Sequence, residues 1–257
     1  MIRSEILTKE IRQLLMFSPL QYMLDVVAEN PRYAHIFTDR VDAPACCVLR
    51  FGHYLWLAGT VQENAADIAD TIRGEQLDIL NVFYDHAAAA QAIKDHFPNV
   101  YDTWRCVFRQ TPVRQEIDQP TRVTPISRAL LGSDVGNLDM IINEVTDTAT
   151  YDNLDAFCRK GFGFTFIASN EVGAFCTSEY QSRTSVAIGI EVARPYQQQG
   201  IAKEMTMAFL QEAANRGLDV YWECWQQNEP SIRTAFACGF HKVADYPVLF
   251  IDLSKPS

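Results

Sequence analysis

The sequence lacks the features that mark membrane, secreted and nucleic-acid-binding proteins. No segment of its 257 residues approaches the roughly 20 consecutive apolar positions of a membrane-spanning helix. There is no excess of positive charge: 22 Lys+Arg stand against 32 Asp+Glu, a net of −10. Split at residue 120, each part carries 11 basic and 16 acidic residues, or −5 apiece. With neither half basic, no nucleic-acid partner is expected. The acidic balance serves solubility and would mildly attract a cationic amine. No Cys-x-x-Cys occurs, and the cysteines (Cys46, Cys47, Cys106, Cys158, Cys176, Cys224, Cys238) are odd in number. Most lie inside apolar runs, so they read as buried small hydrophobes in a reducing compartment. The histidines (His35, His53, His86, His96, His241) show no close ligand spacing with the cysteines, so no metal is expected. Met1–Glu5 leads into a charged amphipathic run instead of a signal-peptide core, and the expected location is the cytoplasm. Internal repeats and low-complexity segments are missing too.

What is present is a globular composition, 48% hydrophobic and 21% charged, with periodic segments throughout. Ile2–Phe17 alternates apolar and charged residues at helical spacing. Ser18-Pro19 restarts a helix, with Ser18 as N-cap and Leu20, Met23, Leu24 and Val27 on one face. Cys46–Phe51 and Tyr54–Gly59, joined by Gly52-His53, predict a hairpin. A helix capped by Asn64, a strand over Leu77–Tyr84, an alanine-rich helix capped by Asp85 and a strand over Val100–Arg109 complete a small mixed α/β unit. Residues Thr111–Thr121, with Pro112, Pro120 and several charges, read as the linker. The expected domains are therefore 1–120 and 121–257.

The second part reads strand, two helices, three antiparallel strands, helix, strand, helix and a final strand pair through Leu253. Its most informative segment is Arg194-Pro195-Tyr196-Gln197-Gln198-Gln199-Gly200-Ile201-Ala202. It joins the strand-like run Ser185–Val192 to a helix over Ile201–Arg216. At such a junction free backbone N–H groups and the positive end of the helix dipole point at one spot, which suits a phosphate. Ile201, Met205, Ala208, Phe209 and Ala213 recur at helical spacing and read as core packing that holds the loop rigid.

The order Gln-x-x-Gly-x-Ala resembles the pyrophosphate loop of the GNAT (general N-acetyltransferase) superfamily. Three further features agree in order: the strand ending at Val192, the Asn228…Ser231 helix start, and the pair Gly239-Phe240. The wording is similar to a narrower group, the zwittermicin-resistance-type acetyltransferases. Supporting runs are Phe157–Phe164, Cys176-Thr177-Ser178-Glu179-Tyr180, Ile188-Gly189-Ile190-Glu191 and Tyr221-Trp222-Glu223-Cys224. The resemblance covers residues 122–253 most specifically. It implies a mixed α/β (α+β) fold with a mostly antiparallel sheet flanked by helices, preceded by a smaller mixed α/β domain. It also implies acetyl-CoA as co-substrate and transfer of an acetyl group to an amine on a small molecule, with protein or peptide acetylation as the alternative.

Carried over residue by residue, the resemblance places Gln197, Gln198, Gln199, Gly200, Ile201 and Ala202 at the pyrophosphate. Arg194 and Lys203 flank the loop and supply the charge that many members carry inside it. Ile190 and Val192 would pair with the pantetheine amides where their strand splays from the next, with the Val192 N–H polarising the thioester. Asn228 is either an N-cap or a cofactor contact, and Ser231 caps its helix or reaches the cofactor. Glu191 is the expected general base, although strand alternation puts it on the face opposite Ile190 and Val192; Glu223 has a similar place. The position at which many members carry a tyrosine acid is Ala235, followed by Phe236, so Tyr246, Tyr221 and Tyr180 are the remaining donors. This departure keeps a second reading open, a catalytically idle acyl-CoA-binding module. The N-terminal part would shape the acceptor cleft or form a homodimer contact.

Overall fold

The computed structural model describes residues 1–75, 77–112, 122–147 and 150–254. The chain forms two compact units, Met1–Arg105 together with Asp245–Ser257, and Cys106–Ala244. Both boundaries fall inside long strands, β6 (Val100–Gln110) and β12 (His241–Asp252). This differs from the expected division at residue 120. The last residues of the chain return to pair with the first unit, a long-range pairing that local composition does not reveal. Of the expected linker 111–121, residues 113–121 lie outside the described residues.

In the first unit the chain forms β1 (Ile2–Ser4), α1 (Lys9–Leu14), α2 (Gln21–Glu29), β2 (Ala34–Thr38), β3 (Cys46–Phe51) and β4 (Tyr54–Gly59). It continues through α3 (Ala65–Gly74), β5 (Ile79–Tyr84) and α4 (Ala87–Lys94). The strand order is β1-β2-β3-β4-β5-β12, antiparallel except for the parallel β4/β5 pair. Leu55, Leu57, Leu80 and Val82 bury one face of this sheet against Ile68, Ile72 and Ile93 of α3 and α4.

Several local expectations change here. Ile2–Phe17 is not one helix, because Ile2–Ser4 pair with Ile36–Thr38 as a strand. Ser18 does not cap α2; its hydroxyl accepts from the Leu20 N–H at 3.2 Å and from the Trp56 indole at 2.9 Å. Asp85 accepts from the Gly59 N–H, and it is His86 Nδ1 that accepts from Ala89 N–H at the start of α4. Asn64 donates to the Thr60 carbonyl and makes no side-chain cap on α3.

The second unit contains β7 (Val123–Pro125), α5 (Arg128–Leu131), α6 (Leu138–Asp147), α7 (Leu154–Lys160), β8 (Gly163–Ala168) and β9 (Glu171–Gln181). Then follow β10 (Ser185–Val192), α8 (Ile201–Arg216), β11 (Asp219–Trp225) and α9 (Glu229–Ala237). Its strand order is β6-β11-β10-β9-β8-β7, antiparallel from β7 to β10. The mixed α/β class with a mostly antiparallel, helix-flanked sheet is as expected. The final strand pair is instead the single strand β12. One core lies between the sheet and α8: Ile201, Met205, Phe209 and Ala213 pack on Cys176, Val186, Ile188, Val220 and Trp222. Each large apolar side chain buried there contributes roughly 1.5–3 kcal/mol. A second core, with Ile141, Phe157 and Phe175, lies beneath α6 and α7.

The β10/β11 pair in the second unit is parallel and short. Ser185, Val186 and Ala187 pair with Asp219, Val220 and Tyr221, and the register stops there. β10 runs on to Val192 still paired to β9, through Ile190↔Cys176 and Val192↔Ala174. β11 runs on to Trp225. The two strands therefore part beyond Ala187, and β10 acquires an edge with no strand partner there among the described residues.

Candidate active site: a cleft at the parting of two strands

A cleft of ≈ 480 Å³ opens where β10 and β11 part, between the first turns of α8 and α9. Of the expected cofactor residues, Ile190, Val192, Gln197, Gln198, Gly200, Ile201, Ala202, Lys203, Asn228 and Ser231 line it. Gln199 and Glu191 do not. The N–H of Ala193 donates to the Gly173 carbonyl on the β9 side. Strand alternation therefore turns the N–H and C=O of Val192, and of Ile190 before it, toward the gap.

Gly200 sits at the N-cap of α8 with φ of 79°, in the left-handed region that glycine enters without a Cβ penalty. Among the described residues no side chain caps this helix start. The N–H groups of its first turn are thus open to an anion. Lys203 lines the same turn. A cation at a helix N-terminus opposes the helix dipole, so its placement is favourable when an anion lies beside it. Glu204, which could have supplied internal negative charge, is drawn away by Arg122, whose guanidinium pairs with its carboxylate and also donates to the Gln199 carbonyl at 3.1 Å. That hydrogen bond holds the Glu204 carboxyl below the usual glutamate range. Arg194, the other flanking cation, is outside the cleft lining.

The three glutamines divide their roles. Gln197 Nε2 donates to the Val192 carbonyl at 3.0 Å, and Gln199 Nε2 donates to the Pro195 carbonyl at 2.8 Å. Two amides thus shape the loop itself. Gln198, with φ of 60°, keeps its side chain at the cleft.

On the other wall, Asn228 Oδ1 accepts from the Ser231 N–H at 3.3 Å, so Asn228 is the N-cap of α9. The Ser231 hydroxyl accepts from the Trp222 indole at 2.9 Å. Trp222 is 2% exposed, packs edge-to-face on Phe240, and forms part of the cleft wall directly beyond the last β10/β11 pair.

Sequence reasoning missed Tyr196, Trp222, Pro230, Arg233, Thr234 and Ala237 as lining residues. One signal could have found Tyr196. Gly173 interrupts an otherwise buried apolar strand, and a Cβ there would stand 2.6 Å from the Tyr196 ring. Glu191 is exposed and opposite Phe175 in register, on the sheet face away from α8. Ala235 is fully buried, and Phe236 meets Phe108 edge-on at 5.3 Å, so neither offers a proton. Tyr180 and Tyr246 are buried, and neither they nor Tyr221 line the cleft.

Among the described residues no group of three or more His, Cys, Asp or Glu is placed to hold a metal, and no helix is long and apolar enough to cross a membrane.

A family model described as GNAT acetyltransferase matches residues 21–249. The curated N-acetyltransferase YdfB of Bacillus subtilis, itself uncharacterized, is 27% identical over 100 residues. That match spans 39% of this chain and 38% of YdfB. A GCN5-related N-acetyltransferase-like protein of Streptococcus suis shares the fold with a TM-score of 0.69 at 15% identity, covering 93% of this chain and 97% of that one. A tandem GNAT protein from the clavulanic acid biosynthesis pathway aligns over 100% of this chain and 98% of its own, with a TM-score of 0.55 at 8% identity.

Proposed function

The chain belongs to the GNAT acetyltransferase family, and from that premise we propose that it transfers an acetyl group from acetyl-CoA to an amine on a small molecule. The observation that carries this reading is the meeting, at one cleft, of an uncapped helix start with an unpaired strand edge. The pyrophosphate of acetyl-CoA takes the open N–H groups at Gly200–Lys203, with Lys203 and Gln198 beside it. The pantetheine amides take the edge of β10 at Ile190 and Val192 in the manner of an added strand. An N–H of that edge, at Val192 or at Ile190 nearer the parting point, then faces the thioester carbonyl, where negative charge develops as the amine attacks. Loss of CoA as a thiol-derived leaving group needs little help, since a thiol titrates near ~8.5.

The finer placement among zwittermicin-resistance-type enzymes is supported by the runs Phe157–Phe164, Cys176–Tyr180 and Tyr221–Cys224. A cytoplasmic location is supported by seven free cysteines. The acidic net charge favours a cationic acceptor.

Isothermal calorimetry with acetyl-CoA on the wild type and on Gly200→Glu tests the site. A Cβ on Gly200 would have only Arg122 Nη2 near it, at 3.9 Å, but its φ of 79° strains any side chain, so a melting curve of the variant accompanies the titration. Its carboxylate would occupy the anion position. We expect the affinity to fall about 100-fold, on the order of 2.7 kcal/mol; unchanged affinity would sink the assignment.

One observation favours a second reading, an acyl-CoA-binding module without turnover: neither Ala235 nor Phe236 offers an acid at the usual place. Release of free thiol from acetyl-CoA in the presence of an amine panel separates the two. Peptide acceptors in the same panel separate small-molecule from protein acetylation.

A further inference from the structure

β9 and β10 meet at a contact that neither the cleft nor the cofactor residues use. Gly189 lies two positions beyond the last residue of β10 that pairs with β11, just before the cleft residue Ile190. It is buried, and the place where its side chain would be is filled by Glu179 of β9. A Cβ on Gly189 would stand 2.1 Å from Glu179 Oε1, 2.6 Å from Cδ and 2.8 Å from Cγ. The end of the Glu179 side chain thus occupies the vacant side-chain position of Gly189, two residues beyond the last β10/β11 pair.

It lies on the face opposite α8. Ile188 and Ile190 turn toward the α8 core, as do Val220, Trp222 and Cys224, so Gly189 and the Glu179 carboxylate are on the other side. By the same alternation Glu191 of β10 and Tyr221 and Glu223 of β11 share that face. Thr177, opposite Gly189 in register, is 1% exposed, and its hydroxyl has no hydrogen-bond partner among the described residues. A buried hydroxyl without a partner is unfavourable unless a water or ligand completes it. A carboxylate and an unsatisfied hydroxyl therefore meet beside Gly189, the residue before Ile190, where β10 has just parted from β11, on the sheet face opposite the one packed by α8.

From this geometry we infer that Glu179, held in place by the missing side chain of Gly189, is the general base that deprotonates the acceptor amine. The inference rests on the reading of the cleft as the acetyl-CoA site. The amine arrives as an ammonium ion, and a Glu179 oxygen takes one proton. The nitrogen lone pair forms the C–N bond at the thioester carbonyl carbon. The C–S bond breaks with its electron pair on sulfur, the second proton passes from nitrogen to the leaving sulfur, and the proton on Glu179 returns to solvent. Glu191, exposed and not held in a vacant side-chain position, is a bystander in this scheme.

The experiment follows thiol release from acetyl-CoA, with an amine panel and with water as acceptors, for wild type, Glu179→Gln, Glu191→Gln, Gly189→Ala and the double variant Gly189→Ala/Glu179→Gln. Calorimetry with acetyl-CoA accompanies each. The expected result is a loss of roughly 10²–10⁴-fold in turnover for Glu179→Gln with acetyl-CoA affinity within threefold of wild type. Its residual rate should climb about tenfold per pH unit below the amine pKa, because solvent must now supply the neutral amine. Gly189→Ala should lose rate by displacing the flexible Glu179 side chain, and the double variant should lose no more than Glu179→Gln alone. Three results overturn the proposal: Glu179→Gln within threefold of wild type, Glu191→Gln as slow as Glu179→Gln, or a wild type that binds acetyl-CoA and releases thiol to neither amine nor water. Failure of the wild type to bind acetyl-CoA would strike the cleft assignment instead.

Discussion

Two helices begin at the same cleft, and they treat their first turns oppositely. α9 closes its own start: Asn228 accepts from the Ser231 N–H, the Ser231 hydroxyl is held by Trp222, and Glu229 supplies negative charge paired with Arg233 at 3.0 Å. α8 leaves its start open, with a glycine at the cap, a lysine in the first turn and its nearest glutamate pulled away by Arg122. A helix that has satisfied its orphan N–H groups is a wall. A helix that has not is a receptor for an anion. The difference makes α8, and not α9, the wall suited to an anionic group.

The comparison can be broken in graded ways. The largest effect is that of Gly200→Glu, which puts a carboxylate at the open start and should cost about 100-fold in acetyl-CoA affinity by calorimetry. Next, Lys203→Ala should weaken binding by about tenfold at low salt. The loss should shrink as ionic strength rises, because an exposed cation is screened; a salt-independent loss would point to packing instead. Asn228→Ala acts on the closed helix. It should lower stability by about 1 kcal/mol in thermal or denaturant melts, the usual worth of an N-cap, and leave acetyl-CoA affinity within threefold. A binding loss larger than that would return Asn228 to the list of cofactor contacts. The smallest effect is the pH response of the Arg122–Glu204 pair. Because Arg122 holds the Glu204 carboxyl below its usual range, the pair contributes above that range and is lost as pH falls through the lowered value. Melting curves of wild type and Arg122→Ala should differ slightly at neutral pH and converge in acid, as befits an exposed pair.

Much of this cleft was legible in the sequence because its signals are local. A strand, a glycine and a helix in succession define the open start of α8, and Asn228-Glu229-Pro230-Ser231 announces α9 within four residues. The hairpin β3/β4 was legible for the same reason: its register follows from a two-residue turn. What escaped was non-local. β1 exists only because Ile2 finds Thr38, and β12 is one strand because its far end finds β5. Tyr196 reached the cleft through space left by Gly173 on another strand, and Glu179 reached Gly189 in the same manner. Each of these depends on which residues a strand register brings together, and periodicity does not carry that information. The Cys176–Tyr180 and Ile188–Glu191 runs stood out as separate phrases, while their physical relation, one strand's carboxylate lying in the other's vacant side-chain position, appears only in three dimensions.

The two strands that carry the chain across unit boundaries bear on how it folds during synthesis. Domains usually complete themselves in order from the N-terminus as the chain emerges. Here the first unit lacks Leu249–Asp252, the partners of β5, until nearly the whole chain has been made, whereas the second unit has all of Cys106–Ala244 earlier. In the interval β5, with Leu80 and Val82, has an open edge that invites wrong pairing. The second unit is therefore free to fold first, and the first unit closes last.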